Sequence, residues 1–185
     1  KNDLCHVCES RKLWLDHVYY TREVIILVLL GTDEEVYDPT VKHLLRNQDD
    51  LGQWFANKLN DVKAGNTVAD LLKTHIKQAF EIVITIRDKI DAEDPQHARK
   101  LQTKLLDLQA EWSKNAEQIA VGLAELGKQH GLKWNYKIIS DHMKDHLSLT
   151  TDEAVQFSKD KYTSSIATFD KVNKQTTDLS DYLVH

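Results

Sequence analysis

Proline occurs twice and glycine six times in this 185-residue chain. So few chain breakers disfavour a sandwich or barrel and favour long helices. Cysteine is scarce too, with both copies in the stretch Cys5-His6-Val7-Cys8. No second pair exists to complete a four-ligand zinc site, and His6 alone does not readily fill a tetrahedral set. The pair therefore reads first as a mobile tail or a local disulfide, and second as a redox or metal element.

Basic runs are missing, and the formal net charge is −5. There is no electrostatic footprint for nucleic acid, and an acidic surface disfavours anionic membranes. The longest apolar run, Val24 to Leu30, has seven residues, against the ~20 that a bilayer span requires. It reads as a core helix segment. No signal peptide stands in the chain, which opens on Lys1 rather than methionine, so something upstream is expected to have been cleaved, disordered or left out, and any targeting information with it. Gly-rich phosphate loops and a nucleophile elbow are absent, so the sequence names neither a reaction nor a substrate.

What is present is helical periodicity. Residues 1–10 are expected to form a tail carrying the CxxC pair, and residues 11–185 one helical domain. A first helix is predicted from about Arg11 to Leu30, with Leu13, His17, Tyr20, Val24 and Leu27 on one face. A second starts after Asp38-Pro39, where proline suits a first turn, and frays before Gly65-Asn66. Its inner stripe includes Leu44, Gln48, Gly52 and Phe55. A third runs from about Thr67 to Asp91 with His75 inward, and a fourth from about Gln96 to Leu126 with Trp112 and Asn115 inward. A linker with a short helix over 137–145 is expected to lead to a last helix from about Thr151 to Tyr182. The predicted fold is all-α, an up-down four-helix bundle with an additional helix or long crossover before the last helix.

Three inward stripes carry a polar residue where leucine would be expected: His17, His75 and Asn115. At the usual rise, His17 and His75 stand ~9 and ~12 Å along parallel helices, and Asp50 and Asn115 ~10 and ~17 Å from the same end. The crossover with His142 and His146 is expected at that end as well. Inward imidazoles and carboxylates from several helices are how bundles hold metal. A lone inward histidine is more often a satisfied core residue. His142 and His146 are four apart but form no H-E-x-x-H motif. Thr150 to Glu153 reads as a capping box, with Glu153 turned from the core, and Asp50 lies opposite Gln48 on ideal phase. Arg22 reads as a surface salt bridge, or else as a partner of Asp50 or of an anion.

The segments LWLDHVYYTREVI, LLRNQDDLG, LLKTHI, WSKNAEQIA and HLSLTTDEA resemble, in order and spacing, an uncharacterised family of small bacterial helical proteins. Members often carry labels such as acetylglutamate kinase or glycosyltransferase, activities that call for α/β nucleotide folds with strands and glycine turns this chain lacks. The resemblance singles out Asp16 and His17, Asn47 and Asp50, His75, Asn115, His146 and Leu147, Thr150 and Glu153, and passes over His142. A lysine-, asparagine- and aspartate-rich surface suits a relative from a large DNA virus. More remotely, the layout is similar to DinB-like and hemerythrin-like metal-binding bundles.

Together these readings imply a metal-binding bundle with His17, His75, His146 and Asp50 as ligands. Asn47, Asn115, Glu153 and Arg22 would hydrogen-bond around them. The metal would be a divalent transition ion such as zinc, nickel or iron. The alternative is a structural or interaction protein, as a homodimer for example, in which the same residues form a metal-free polar network. A third reading places a small-molecule pocket at the same end, lined by Trp14, Tyr20 and Trp54.

Overall fold

The computed structural model describes residues 3–185, with side chains from His6 onward. Among the described residues the chain is all-helical and has no strand. Six helices follow one another: α1 (Asp3–Leu29), α2 (Glu34–Leu59), α3 (Val62–Ile90), α4 (Pro95–Gln129), α5 (Tyr136–Phe157) and α6 (Tyr162–Val184). Among the described residues no helix is long and apolar enough to cross a membrane.

The termini follow from local chemistry. Asp61, Asp94 and Asn135 cap α3, α4 and α5 by accepting backbone N–H bonds from the first turn, and Pro95 opens α4. Gly31 and Gly131 turn the chain out of α1 and α4 at a φ of +72°, which glycine adopts without strain.

Four expected boundaries are corrected. First, α1 includes the CxxC stretch, so residues 3–10 are helix rather than tail. Cys8 is exposed and free, and the Cys5 side chain lies outside the described residues. Second, α2 is already under way before Pro39. Third, Gly65 is a packing residue inside α3 rather than a turn. A Cβ on it would come within 2.6 Å of the Ala56 Cβ, and one on Gly52 within 2.6 Å of the Ala69 Cβ, so this glycine pair lets α2 and α3 close together. Fourth, the expected crossover is the continuous helix α5, and the break falls at Ser158–Lys161.

This last change redraws the architecture. Instead of four helices and an extra, three helical hairpins stand side by side: α1–α2, α3–α4 and α5–α6. Each helix packs on the next and α6 returns to α1, closing a ring, while α1 also meets α3 and α5 across the middle. Short loops make neighbours antiparallel, so the odd-numbered helices share one direction. The core fills this ring, with Ile25, Leu51, Phe55, Leu72, Ile119, Ile139 and Leu183 essentially removed from water.

Candidate functional site

Each hairpin places one histidine on its first helix and an amide residue opposite it on its second. In the first, His17 Nδ1–H donates to Gln48 Oε1 at 3.2 Å. In the second, His75 Nδ1–H donates to Asn115 Oδ1 at 3.0 Å. In the third, His146 Nδ1–H donates to Gln175 Oε1 at 3.2 Å.

The amides are themselves held. Asn115 Nδ2 donates to the Leu71 carbonyl at 3.1 Å, and Gln175 Nε2 to the His142 carbonyl at 3.0 Å. In the first hairpin two amides act together. Asn47 Nδ2 donates to the Leu13 carbonyl, and Gln48 Nε2 donates to the Leu44 carbonyl and to Asn47 Oδ1. The carbonyls of Leu13, Leu71 and His142 each stand four residues before the histidine of their own helix.

This repeated construction decides the tautomers. A carbonyl can only accept, so each amide must turn its NH₂ to the backbone and its oxygen to the ring. Nδ1 then carries the proton and Nε2 keeps its lone pair. Among the described residues no hydrogen bond engages Nε2 of His17, His75 or His146.

The three rings converge. The centroid of His146 lies 5.8 Å from that of His17 and 5.9 Å from that of His75. All three line one cavity of about 10 Å³, together with Trp14, Leu72 and Met143. Those three residues precede the histidines by three positions, where a helical side chain leaning toward its N-terminus meets them. The volume suits one water-sized occupant.

Burial, assisted by His146, holds His17 down to about 3, and burial brings His146 to about 4. His75 is lowered well below its ordinary value by burial, then by His146 and His17. The three are therefore neutral at pH 7, the state in which imidazole binds a metal. Rings sharing an ion at Zn–N bonds of about 2.1 Å would have centroids about 5 Å apart. The triad is wider than that, and among the described residues no group of three or more His, Cys, Asp or Glu side chains is already drawn together as a ligand set.

The remaining expected residues sort themselves by position. Asn47 and Asn115 support the rings. Asp50 is exposed on the outer face of α2 and is not brought to the cavity, because Gln48 holds the inner position there. Glu153 is 1% exposed and caps nothing, since Thr150 and Glu153 both lie inside α5. It accepts from Arg22 Nη1 at 2.5 Å, and Arg22 also reaches Ser165 and lies over the Phe169 ring. The Arg22 pair is thus buried rather than a surface bridge, and its partner is Glu153 rather than Asp50. Burial pushes the Glu153 carboxyl up to about 7 even against that guanidinium.

Of the three aromatics expected around a pocket, only Trp14 lines this cavity; Tyr20 packs at a tilt against His43, and Trp54 meets Phe55 edge-to-face. Gln48 and Gln175 stand at the rings, and the sequence reading assigns neither to the site. The stripe expected on the last helix, Tyr162, Ile166, Phe169, Thr176 and Leu183, is inward at its last three members, but Tyr162 and Ile166 are exposed and blur its phase. Phasing from Phe169, Val172, Leu179 and Leu183 puts Gln175 inward.

No family model, curated protein or solved structure matches this chain. The resemblance to the bacterial family rests on the sequence segments alone.

Proposed function

We propose that this chain is a metal-binding helical protein whose ligands are Nε2 of His17, His75 and His146. The observation that carries the reading is the threefold His–amide pairing. Each ring is oriented through Nδ1 by an outer partner and keeps Nε2 unengaged, and all three rings line a common cavity. A hydrogen-bonded second nitrogen is the usual support of a metal-ligating histidine, and its loss typically weakens metal affinity 10–100-fold. With Asp50 on the surface and Glu153 paired to Arg22, the protein donor set is three neutral imidazoles, which suits zinc, nickel or iron. A divalent ion held by three ligands with a position left open would supply Lewis acidity at this end of the cavity.

The test is elemental analysis of the protein purified without an affinity tag, wild type beside His75→Ala. About one transition metal per chain, absent in the variant, is expected. Gln175→Leu should retain the helical fold and bind the same metal 10–100-fold more weakly. No metal in wild type, even after incubation with zinc, would sink the reading.

A second reading is a metal-free structural protein, favoured by the fact that every Nδ1 already has a partner. The network would then fix which hairpin packs where. Under it, a chelator leaves the melting temperature unchanged. Under the first, a chelator lowers it.

A further inference from the structure

The three amides that orient the rings differ in what accepts their own hydrogens. Asn115 Nδ2 donates to the Leu71 carbonyl, and Gln48 Nε2 to the Leu44 carbonyl and to Asn47 Oδ1. Gln175 Nε2 donates to the His142 carbonyl at 3.0 Å and, with its other hydrogen, to His142 Nδ1 at 3.3 Å. Carbonyl and carboxamide oxygens are acceptors whatever the pH near neutrality. An imidazole nitrogen accepts only while it keeps its lone pair, and it becomes a donor once protonated. Among the described residues, the third hairpin is thus the one whose amide rests on a convertible acceptor.

Gln175 has no bond to spare. Its Oε1 accepts from His146 Nδ1–H at 3.2 Å and from Thr176 Oγ1 at 3.4 Å, while both N–H bonds are spent on His142. A proton on His142 Nδ1 sets one donor against another. Turning the carboxamide over removes that conflict. Oε1 then accepts from the charged imidazole, a bond roughly twice as strong as a neutral one, in exchange for the bond to the His142 carbonyl. The NH₂ group now faces His146 Nδ1, which has to accept. His146 therefore gives up its Nδ1 proton and takes one from water at Nε2, so the ring stays neutral and its Nε2 lone pair is lost.

The placement suits this role. His142 is half-buried, whereas His146 is buried. Beside His142 on α5 stand Asp141, which pairs with Lys137, and Asp145. On α6, Lys171 and Asp178 lie about one turn either side of Gln175, with Asp178 paired to Lys174. From the other neighbours of α5, α1 contributes His17 and the Arg22 bound to Glu153, and α4 contributes Glu117, bonded to Tyr136 and Ser140. Among the described residues the hydrogen-bond partner of the His142 ring is Gln175.

We infer that His142 is a positioning residue of the histidine site: through Gln175, its Nδ1 lone pair holds His146 in the tautomer that leaves Nε2 free, and a proton on that nitrogen reverses the tautomer. As control of metal release this rests on the metal-binding reading, but the tautomer switch itself does not.

The test therefore begins on chelator-treated protein. Long-range ¹⁵N spectra of the imidazoles distinguish Nδ1–H from Nε2–H rings. They are followed between about pH 8 and 5, the range in which histidine changes charge and above the values of about 3 and about 4 at which His17 and His146 themselves take up a second proton. His146 should pass from Nδ1–H to Nε2–H in step with the titration of His142, while His17 and His75 stay Nδ1–H. In His142→Phe, His146 should remain Nδ1–H throughout. With zinc as probe, wild type should lose about 10–100-fold more affinity than His142→Phe over the same range. A His146 ring that stays Nδ1–H in wild type while His142 becomes charged would overturn the inference, and that measurement needs no variant. The same switch persisting in His142→Phe would overturn it too. Absence of zinc binding, with the switch intact, would instead count against the metal reading alone.

Discussion

At the scale of single residues, the amides do more than satisfy the imidazoles. Because Asn115 and Gln175 spend their NH₂ groups on backbone carbonyls, they dictate which ring nitrogen holds the proton. The histidines themselves are legible in the sequence, since His17 and His75 interrupt apolar stripes and His146 falls within a resembling motif. Asp50 misleads because height along a helix says nothing of phase. Glu153 misleads in the opposite sense, because its expected outward phase assumes one helix running on from Thr151, whereas the chain breaks between α5 and α6. Its pairing with Arg22 yields an asymmetric prediction. Removing Arg22 leaves a carboxyl that can become neutral by taking a proton. Removing Glu153 leaves a guanidinium that cannot lose one. Glu153→Ala should therefore destabilise by about 3–5 kcal/mol, and Arg22→Ala by less, with the Arg22→Ala cost growing as pH rises past 7. Urea unfolding of both variants at two pH values checks this, and equal, pH-independent costs would contradict it.

At the scale of elements, helix starts marked by Asp61, Asp94-Pro95 and Asn135 are short-range signals, each settled by a side chain within the first turn. Gly65 shows the limit of such signals. Gly-Asn reads as a turn, yet here the glycine lies within a helix and admits the backbone of a neighbour, a reason found on another element. Gly65→Ala would force its Cβ to 2.6 Å from the Ala56 Cβ and 2.9 Å from the Ala56 nitrogen. Backbone cannot yield as a flexible side chain does, so a loss of about 1–3 kcal/mol is expected. Gly122→Ala is the control: its nearest contact would be Leu71 Cδ1 at 3.5 Å, ordinary packing, and the change should stabilise by about 0.5–1 kcal/mol. Thermal unfolding of the pair gives opposite signs if the close approach of α2 and α3 is the cause.

At the scale of the whole molecule, three buried neutral imidazoles make stability depend on pH. Their folded pKa values lie below the ordinary value of 6.5, so the unfolded chain takes up protons first as pH falls. The stability they contribute is intact above about 6.5 and is lost as pH drops through the folded values, about 3 for His17 and about 4 for His146. Glu153 acts the other way. Raised to about 7 from 4.5, its contribution is full below 4.5 and is lost as pH rises through 7. Three groups outweigh one, so the urea midpoint of chelator-treated protein should fall from pH 6.5 to 4.5 and more steeply below. A flat profile over that range would contradict a buried neutral triad. Taken by itself, the sequence determined that the chain is helical, that helices begin close to Pro95 and Tyr136, and that His17 and His75 face inward, because periodicity, capping and chain breakers act within a few residues. Only the tertiary structure decided that six helices form three hairpins in a ring, that Gln48 and Gln175 rather than Asp50 stand at the rings, and that Glu153 is buried against Arg22. Those outcomes depend on contacts between residues 29 to 131 positions apart, and no local pattern encodes which distant surface a helix will meet.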